Sequence, residues 1–378
     1  MSKVIFGDVV RRANTKEDRH NTDKIYYVGG EHIESNEVLI ENRGIIEGST
    51  IGPMFYFGFK AGDILFVSRN PHLRKSGMVT FDGICSEKTF VLETKNESVL
   101  LQRYLAFVMQ SDHFWSYMEA HKSGSVNFFI NWSTLAKYEF ELPDIEKQKS
   151  LSDVLWAINN TKKAYRDLIT NTNRLQVSKF IEMFGEEQTS DKLENLCIHF
   201  GDGDWIESKD QSEDGIRLIQ TGNIGNGEYK DKGDKARFIS EETFKRLGCT
   251  EVVPGDILVS RLPDPIGRAC IIPEMSKAIT AVDCSIIRLK ANVLPIYFVD
   301  FTKTPMYMTQ IDSMTTGATR KRISRANLGS VQVPVPTIDK QEAYVLFANN
   351  CQKEIYQLQQ SIDNLIGLER SILAENLN

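Results

Sequence analysis

The sequence lacks the short signatures of catalysis. It has no Asn-Pro-Pro-Tyr-like tetrapeptide for base methylation, no GxGxxG turn after a strand and no GxxxxGK[ST] phosphate loop. The six cysteines, at 85, 197, 249, 270, 284 and 351, form no CxxC pair and no Cys/His spacing. A recognisable zinc site or disulfide frame is thereby excluded, and the pattern fits reduced, mostly buried thiols. No apolar run approaches the roughly 18 residues of a membrane span. The opening MSKVIFGDVV lacks a charged region followed by an apolar core and a cleavage site. We therefore expect a soluble, cytoplasmic protein with no membrane partner. A basic excess is missing too: 45 Lys and Arg stand against 51 Asp and Glu, for a net charge of −6. Any contact with a polyanion has to rest on local patches or on partner chains.

What the sequence does have is an internal repeat. Pro143, Ile145, Lys147 and Gln148 return as Pro336, Ile338, Lys340 and Gln341, each 193 residues later. The offset persists upstream, where Gly62-Asp63-Ile64-Leu65 returns as Gly255-Asp256-Ile257-Leu258, and Gly124, Ile130 and Leu135 as Gly317, Ile323 and Leu328. That period is too long for a solenoid repeat and implies two copies of a whole domain plus a helix. A chain of 378 residues, 41% of them hydrophobic, is enough for two cores and connectors. We expect a globular unit at 1–141, a helix at 142–185, a second unit at 186–334 and a second helix at 335–378.

In the first unit, short apolar runs at 24–28, 54–57, 64–67 and 89–92 read as strands. A helix is expected at 100–119 and a strand at 138–142, giving an α+β unit. Arg69, His72, Arg74 and Lys75 project from a Pro-containing loop, as in a contact loop or a solvated one. The segment around Gly124 and Asn127 suits a tight turn whose N–H groups could meet a phosphate, or a structural turn. The second unit repeats the plan, with strands at 216–219, 257–260, 269–272 and 285–289. Arg261 and Arg268 flank its loop, and Arg320, Lys321, Arg322 and Arg325 place four cations within six residues beside Gly317. Gly201-Asp202-Gly203-Asp204 resembles the start of a calcium loop but lacks the further ligands, so a turn is expected there. Framework residues keep register between the halves while ligand-facing ones differ, Arg69-Asn70-Pro71 against Leu262-Pro263-Asp264 and Asn127 against Arg320.

In the first helix Leu151, Val154, Ile158, Thr161, Tyr165, Leu168, Thr172 and Leu175 recur at alternating spacings of three and four, widened by Leu155 and Ile169. Tyr344, Phe347, Cys351, Ile355, Leu358, Ile362, Leu365, Leu368 and Ile372 do the same in the second. Forty residues give a rod of roughly 60 Å, stable only with its stripe covered. Each rod has a natural mate in the other; the alternative is that each lies on its own domain. An antiparallel pair would hold two reading heads at a fixed separation, suited to a split DNA sequence whose turns are about 34 Å apart.

Two variable units, each closed by a Gly turn and followed by Ile-Asp/Glu-Lys-Gln and a long helix, resemble the specificity subunit of type I restriction-modification systems. The segments carrying this are 316–324 with Val333-Pro334-Val335-Pro336, Ile338-Asp339-Lys340-Gln341, and the GDIL repeat. The first half departs from the usual Gly-Ala-Thr/Gln-Lys-x-Ile pattern, having Gly124-Ser125-Val126-Asn127-Phe128-Phe129-Ile130. The resemblance implies an α+β fold with two target recognition domains, related by pseudo-twofold symmetry and separated by two antiparallel helices in a coiled coil. It implies a non-catalytic subunit that binds double-stranded DNA, with two methyltransferase subunits docked on the helices and motor-nuclease subunits joining through them. S-adenosylmethionine, ATP and magnesium would belong to those partners. Arg69, His72, Arg74, Lys75 and Asn127 would form one reading surface, and Arg261, Arg268, Arg320, Lys321, Arg322 and Arg325 the other. Alternatives are a related type II enzyme subunit with a bipartite site, a self-sufficient nuclease or methyltransferase with an unfamiliar site, and a helical scaffold that binds no DNA.

Overall fold

The computed structural model describes residues 2–263, 265–317 and 320–377. The fold is mixed α+β, in two units: residues 1–166 with 359–378, and residues 167–358. Each unit therefore contains a stretch of both long helices, Ile145–Phe184 and Ile338–Leu377.

The first unit is built on a five-stranded sheet in the order Val10–Ala13, Thr89–Thr94, Ile64–Val67, Ser76–Val79 and Leu39–Ile40. A four-stranded sheet holds Gly44–Ile45, Tyr26–Val28, Gly83–Ser86 and Phe55–Phe59, and Ser2–Ile5 pairs with Glu139–Leu142. Strand Ile64–Val67 is buried throughout because its two faces serve two cores, Ile64 and Phe66 one, Leu65 and Val67 the other. The expected helix over 100–119 is instead two, Gln102–Val108 and Asp112–Ala120. Ser111 makes the break: its Oγ accepts from the Phe114 N–H (3.2 Å) and donates to the Val108 carbonyl (2.8 Å), capping the second helix at its start.

The second unit repeats this plan. Its four-stranded sheet runs Cys197–Asp202, Cys284–Leu289, Ile257–Ser260, Ala269–Ile271, and its three-stranded sheet Phe238–Ile239, Ile216–Ile219, Ala278–Thr280. Gly201 and Asp202 close a strand, which corrects the expected turn. Gly203 follows because a Cβ there would stand 2.4 Å from the carbonyls of Thr280 and Ala281.

Both helix stretches enter each core. In the first unit Leu155 packs with Leu373 and Leu377, and in the second Phe180 and Phe184 pack with Tyr344 and Ala348. The buried stripe of the central helix in the first unit is Gln148, Ser152, Leu155, Asn159 and Lys162, mostly polar, with Ile158 at its edge. Val154, Leu168 and Leu175, expected inside from their periodicity, are 47%, 49% and 55% exposed. Several of the polar side chains on the buried face of this helix meet partners there, although the Ser152 hydroxyl has none among the described residues. Lys162 pairs with Glu369, and Gln176 Nε2 donates to Asp300 (2.6 Å), which also accepts from the Tyr344 hydroxyl (3.0 Å).

Candidate nucleic-acid interface

The same tight loop is built twice, 193 residues apart. In the first unit Ser123 and Phe129 exchange two backbone hydrogen bonds of 2.9 Å. In the second, Thr316 and Arg322 do so at 3.0 and 2.9 Å. Gly124 and Gly317 sit at φ 97° and 106°, where an L side chain is strained. A Cβ on Gly124 would stand 2.6 Å from the Asn127 carbonyl, and one on Gly317 2.5 Å from that of Arg320. Each loop is docked on a strand end, the Ile130 N–H donating to the Ser68 carbonyl (2.8 Å) and the Ile323 N–H to the Arg261 carbonyl (3.2 Å). Burial of Ile130 and Ile323 seats the base of each loop, while Val126 and Asn127 in the first and Arg320 in the second are exposed.

The tips differ in chemistry. In the first, Arg69 and Asn127 come together: the Arg69 guanidinium lies 5.1 Å from the Phe129 ring centroid and reaches the Asn127 carbonyl at 3.5 Å. His72 is exposed on the short turn Pro71–Leu73. Arg74 is turned to Asp112 (2.5 Å) and Lys75 to the Gly30 carbonyl (2.5 Å), so both are tied to their own unit. In the second, Arg320, Lys321 and Arg322 are exposed. No described residue pairs with their side chains. Ala318 and Thr319 lie outside the described residues, as does Asp264. Arg325 is exposed 3.9 Å from Asp202, whose carboxylate also meets the buried Arg261 at 3.3 Å. Arg261 further donates to the Val282 carbonyl (2.6 Å), so it supports the surface from beneath. Arg268 is half-buried, with Nη2 3.5 Å from the Thr221 carbonyl.

A further cationic group was not picked out from motifs. Arg217, Lys232, Lys235 and Arg237 line a cavity of about 360 Å³ beside the turn Thr221–Asn223. The sequence signal was there, in Lys230-Asp231-Lys232-Gly233-Asp234-Lys235-Ala236-Arg237, but the interspersed acids make it read as a solvated loop. Only the fold brings Arg217 to it.

The GDIL turns share a frame with different electrostatics. Asp63 accepts from the Lys60 N–H (2.7 Å), and Asp256 from the Val253 N–H (3.0 Å). Arg288 grips Asp256 with two bonds of 2.7 and 2.8 Å, whereas Lys95, at the matching position, reaches the Gly7 carbonyl instead. Burial, with the nearby Glu93 and Asp82 carboxylates adding to it, outweighs the Lys60 N–H and charge and pushes the Asp63 carboxyl up to about 6. Burial also pushes the thiols of Cys270 and Cys284 up to about 12, so they stay protonated at neutral pH. Among the described residues, no group of three or more His, Cys, Asp or Glu is placed to hold a metal ion, and no helix is long and apolar enough to cross a membrane.

Residues 189–376 match the family described as type I restriction modification DNA specificity domain. No curated protein matches the sequence. Among solved structures, the chain is similar to one from a study of complex assembly and conformational transition of the type I R-M system, with 17% identity, 99% of this chain and 97% of that chain covered, and a TM-score of 0.58. It is also similar to the S subunit of a type I restriction-modification system from M. genitalium, with 13% identity, coverage of 98% and 94%, and a TM-score of 0.55. At these identities the likeness is one of fold.

Proposed function

Since the chain belongs to the family of type I restriction modification DNA specificity domains, we propose that it is the non-catalytic recognition subunit of a restriction-modification complex, reading a DNA target in two blocks. Residues 1–141 and 186–334 act as the two target recognition domains. The long helices, 142–185 and 335–378, set the unspecified spacer and scaffold two methyltransferase subunits, through which motor-nuclease subunits join. S-adenosylmethionine, ATP and magnesium belong to those partners, which supply the chemistry. The observation that carries this reading is the loop built twice on one frame with changed tips, Asn127 in one and Arg320 in the other. Two frames that agree in backbone and differ in side chains suit two different blocks of one duplex, where a single Arg on guanine contributes roughly 1 to 3 kcal/mol of discrimination. Arg69, His72 and Asn127 face the first block, and Arg320, Lys321, Arg322 and Arg325 the second. The exposed Val154, Leu168 and Leu175 on the central helix, and Leu346 on the terminal one, offer partner chains an apolar surface.

The test is to exchange residues 1–141 for the matching segment of another such subunit and map methylated sites in cells. One block of the target should change while the other stays. Change in both blocks, or in neither, overturns the reading.

A further inference from the structure

We propose that the second unit holds a phosphate-binding site formed by Arg217, Lys232, Lys235 and Arg237, and that its ligand is a backbone phosphate of the bound duplex. This rests on the reading of the chain as a DNA-recognition subunit, and assigns residues outside its loop tips.

The four cations line one cavity, and no carboxylate lines it with them. Arg217 is 9% exposed, pairs on one side with Asp231 (2.8 Å) and lies 5.5 Å from the Phe238 ring. Its Nε is buried and has no partner. A buried guanidinium N–H left open is costly unless an acceptor arrives, and an anion in the cavity would supply one. Lys232 and Lys235 are exposed and have no partner among the described residues, while Arg237 meets only the neutral Gln211 amide (3.1 Å). Asp231 therefore offsets one charge of four.

The backbone holds this arrangement open. Leu218 N–H donates to the Arg237 carbonyl (2.8 Å), anchoring the cationic run on the strand that carries Arg217. Gly233, at φ 49°, turns the run so that Lys232 and Lys235 flank one short turn. Gly222 forms the opposite wall, where a Cβ would stand 3.6 Å from Lys232 Nζ. The Asn223 amide in that wall is spent internally, accepting from the Gln220 N–H (3.0 Å) and donating to the Lys230 carbonyl (2.8 Å).

Converging cations whose neighbouring amide is already engaged suit a phosphate better than a base edge, which alternates donors and acceptors. The site adjoins the proposed reading surface through Thr221, whose carbonyl faces Arg268. It also belongs to this unit alone. Arg217 pairs with Ala278 in its sheet, and the matching position in the first unit, paired with Cys85, is the buried Val28.

The test uses the full chain, a labelled random-sequence duplex and fluorescence anisotropy over a salt series. Each phosphate contact contributes about 0.9 to the slope of log K against log salt. The K232A/K235A/R237A variant should lose about two to three units of slope and bind more than tenfold more weakly at about 150 mM salt. The K232R/K235R variant should keep the slope, and equal melting temperatures would show that folding is unaffected. An unchanged slope in the triple variant, with R320A/R322A still lowering it, overturns the site and leaves the recognition reading standing. A wild-type chain that binds no duplex overturns that reading itself. If inorganic phosphate at fixed ionic strength raises the melting temperature of the wild type only, while the triple variant keeps the wild-type duplex slope, the ligand is free phosphate and the duplex assignment fails.

Discussion

Gln148 and Gln341 make the same three hydrogen bonds in their respective units. Gln148 Oε1 accepts from the Leu101 N–H (3.0 Å), and its Nε2 donates to the carbonyls of Val99 (2.8 Å) and Pro143 (2.9 Å). Gln341 Oε1 accepts from the Leu294 N–H (2.9 Å), and its Nε2 donates to those of Asn292 (2.9 Å) and Pro336 (3.0 Å). Both side chains are fully buried. Each amide fastens the first turn of a long helix to the start of a helix inside its own unit, and this explains why the Ile-Asp/Glu-Lys-Gln signature recurs.

Replacing Gln148 with Ala should leave one N–H and two carbonyls at the start of the helix without their partner and cost about 2 to 4 kcal/mol. Gln148→Glu should be no better, since a carboxylate accepts from Leu101 but has nothing to donate to Val99 and Pro143. Urea unfolding reads the loss, and hydrogen exchange locates it: amides near 99–105 should lose protection while those near 292–298 keep theirs. A cost below about 0.5 kcal/mol would mean that the amide is not the fastening.

The two GDIL turns should respond differently to pH. Because the folded Asp63 carboxyl titrates near about 6, above the ordinary value of about 3.9, the fold binds its proton more tightly than the unfolded chain. Its contribution to stability is full below about pH 4 and is lost as pH rises through about 6. Asp63→Asn keeps an acceptor for the Lys60 N–H and stays neutral. The variant should therefore melt higher than wild type at about pH 7.5, with the gap closing toward about pH 4. A gap that does not vary with pH would contradict the assignment. Asp256→Asn should instead destabilise at neutral pH by about 1.5 to 3 kcal/mol, because Arg288 loses a bidentate carboxylate.

Within the first unit, Lys162 and Glu369 form a buried pair, their side chains 5% and 12% exposed. Lys162→Met should cost about 3 to 5 kcal/mol by leaving a carboxylate unpaired, while Lys162→Met with Glu369→Leu should recover most of it. Additive losses in that double-mutant cycle would show that the pair is not coupled.

Much of this frame was legible in the chain. The 193-residue offset located both long helices to within a few residues, and it located the Gly124 and Gly317 loops, because positive φ and a fastening amide each admit few residue types. The buried face of the central helix was legible only in part: Leu155 and Ile158 of the apolar stripe are buried. Apolar periodicity pointed to Val154, Leu168 and Leu175, but Lys162 and Gln176 lie inside since their partners, Glu369 and Asp300, come from distant sequence. Ser111 broke an expected helix through a cap that competes with two apolar turns. Density of charge singled out Arg320, Lys321 and Arg322, which are exposed, but could not tell that Arg74 and Lys75 are tied to Asp112 and the Gly30 carbonyl.

The Gly317 loop separates shape from charge. A methyl at Gly317 would stand 2.5 Å from the Arg320 carbonyl, so Gly317→Ala must open the turn that presents Arg320, Lys321 and Arg322, at a strain of about 1 to 3 kcal/mol. The loop base is held by the buried Ile323, so the global melting temperature should fall by only a few degrees. Duplex affinity should fall by about tenfold, but the salt slope should stay near wild type if the displaced cations still reach phosphates. Arg320→Ala with Arg322→Ala, which removes charge and leaves the turn intact, should lower the slope by up to about two units. If both variants bind a random-sequence duplex with wild-type affinity and slope over the same salt series, these loop cations are not in contact with DNA.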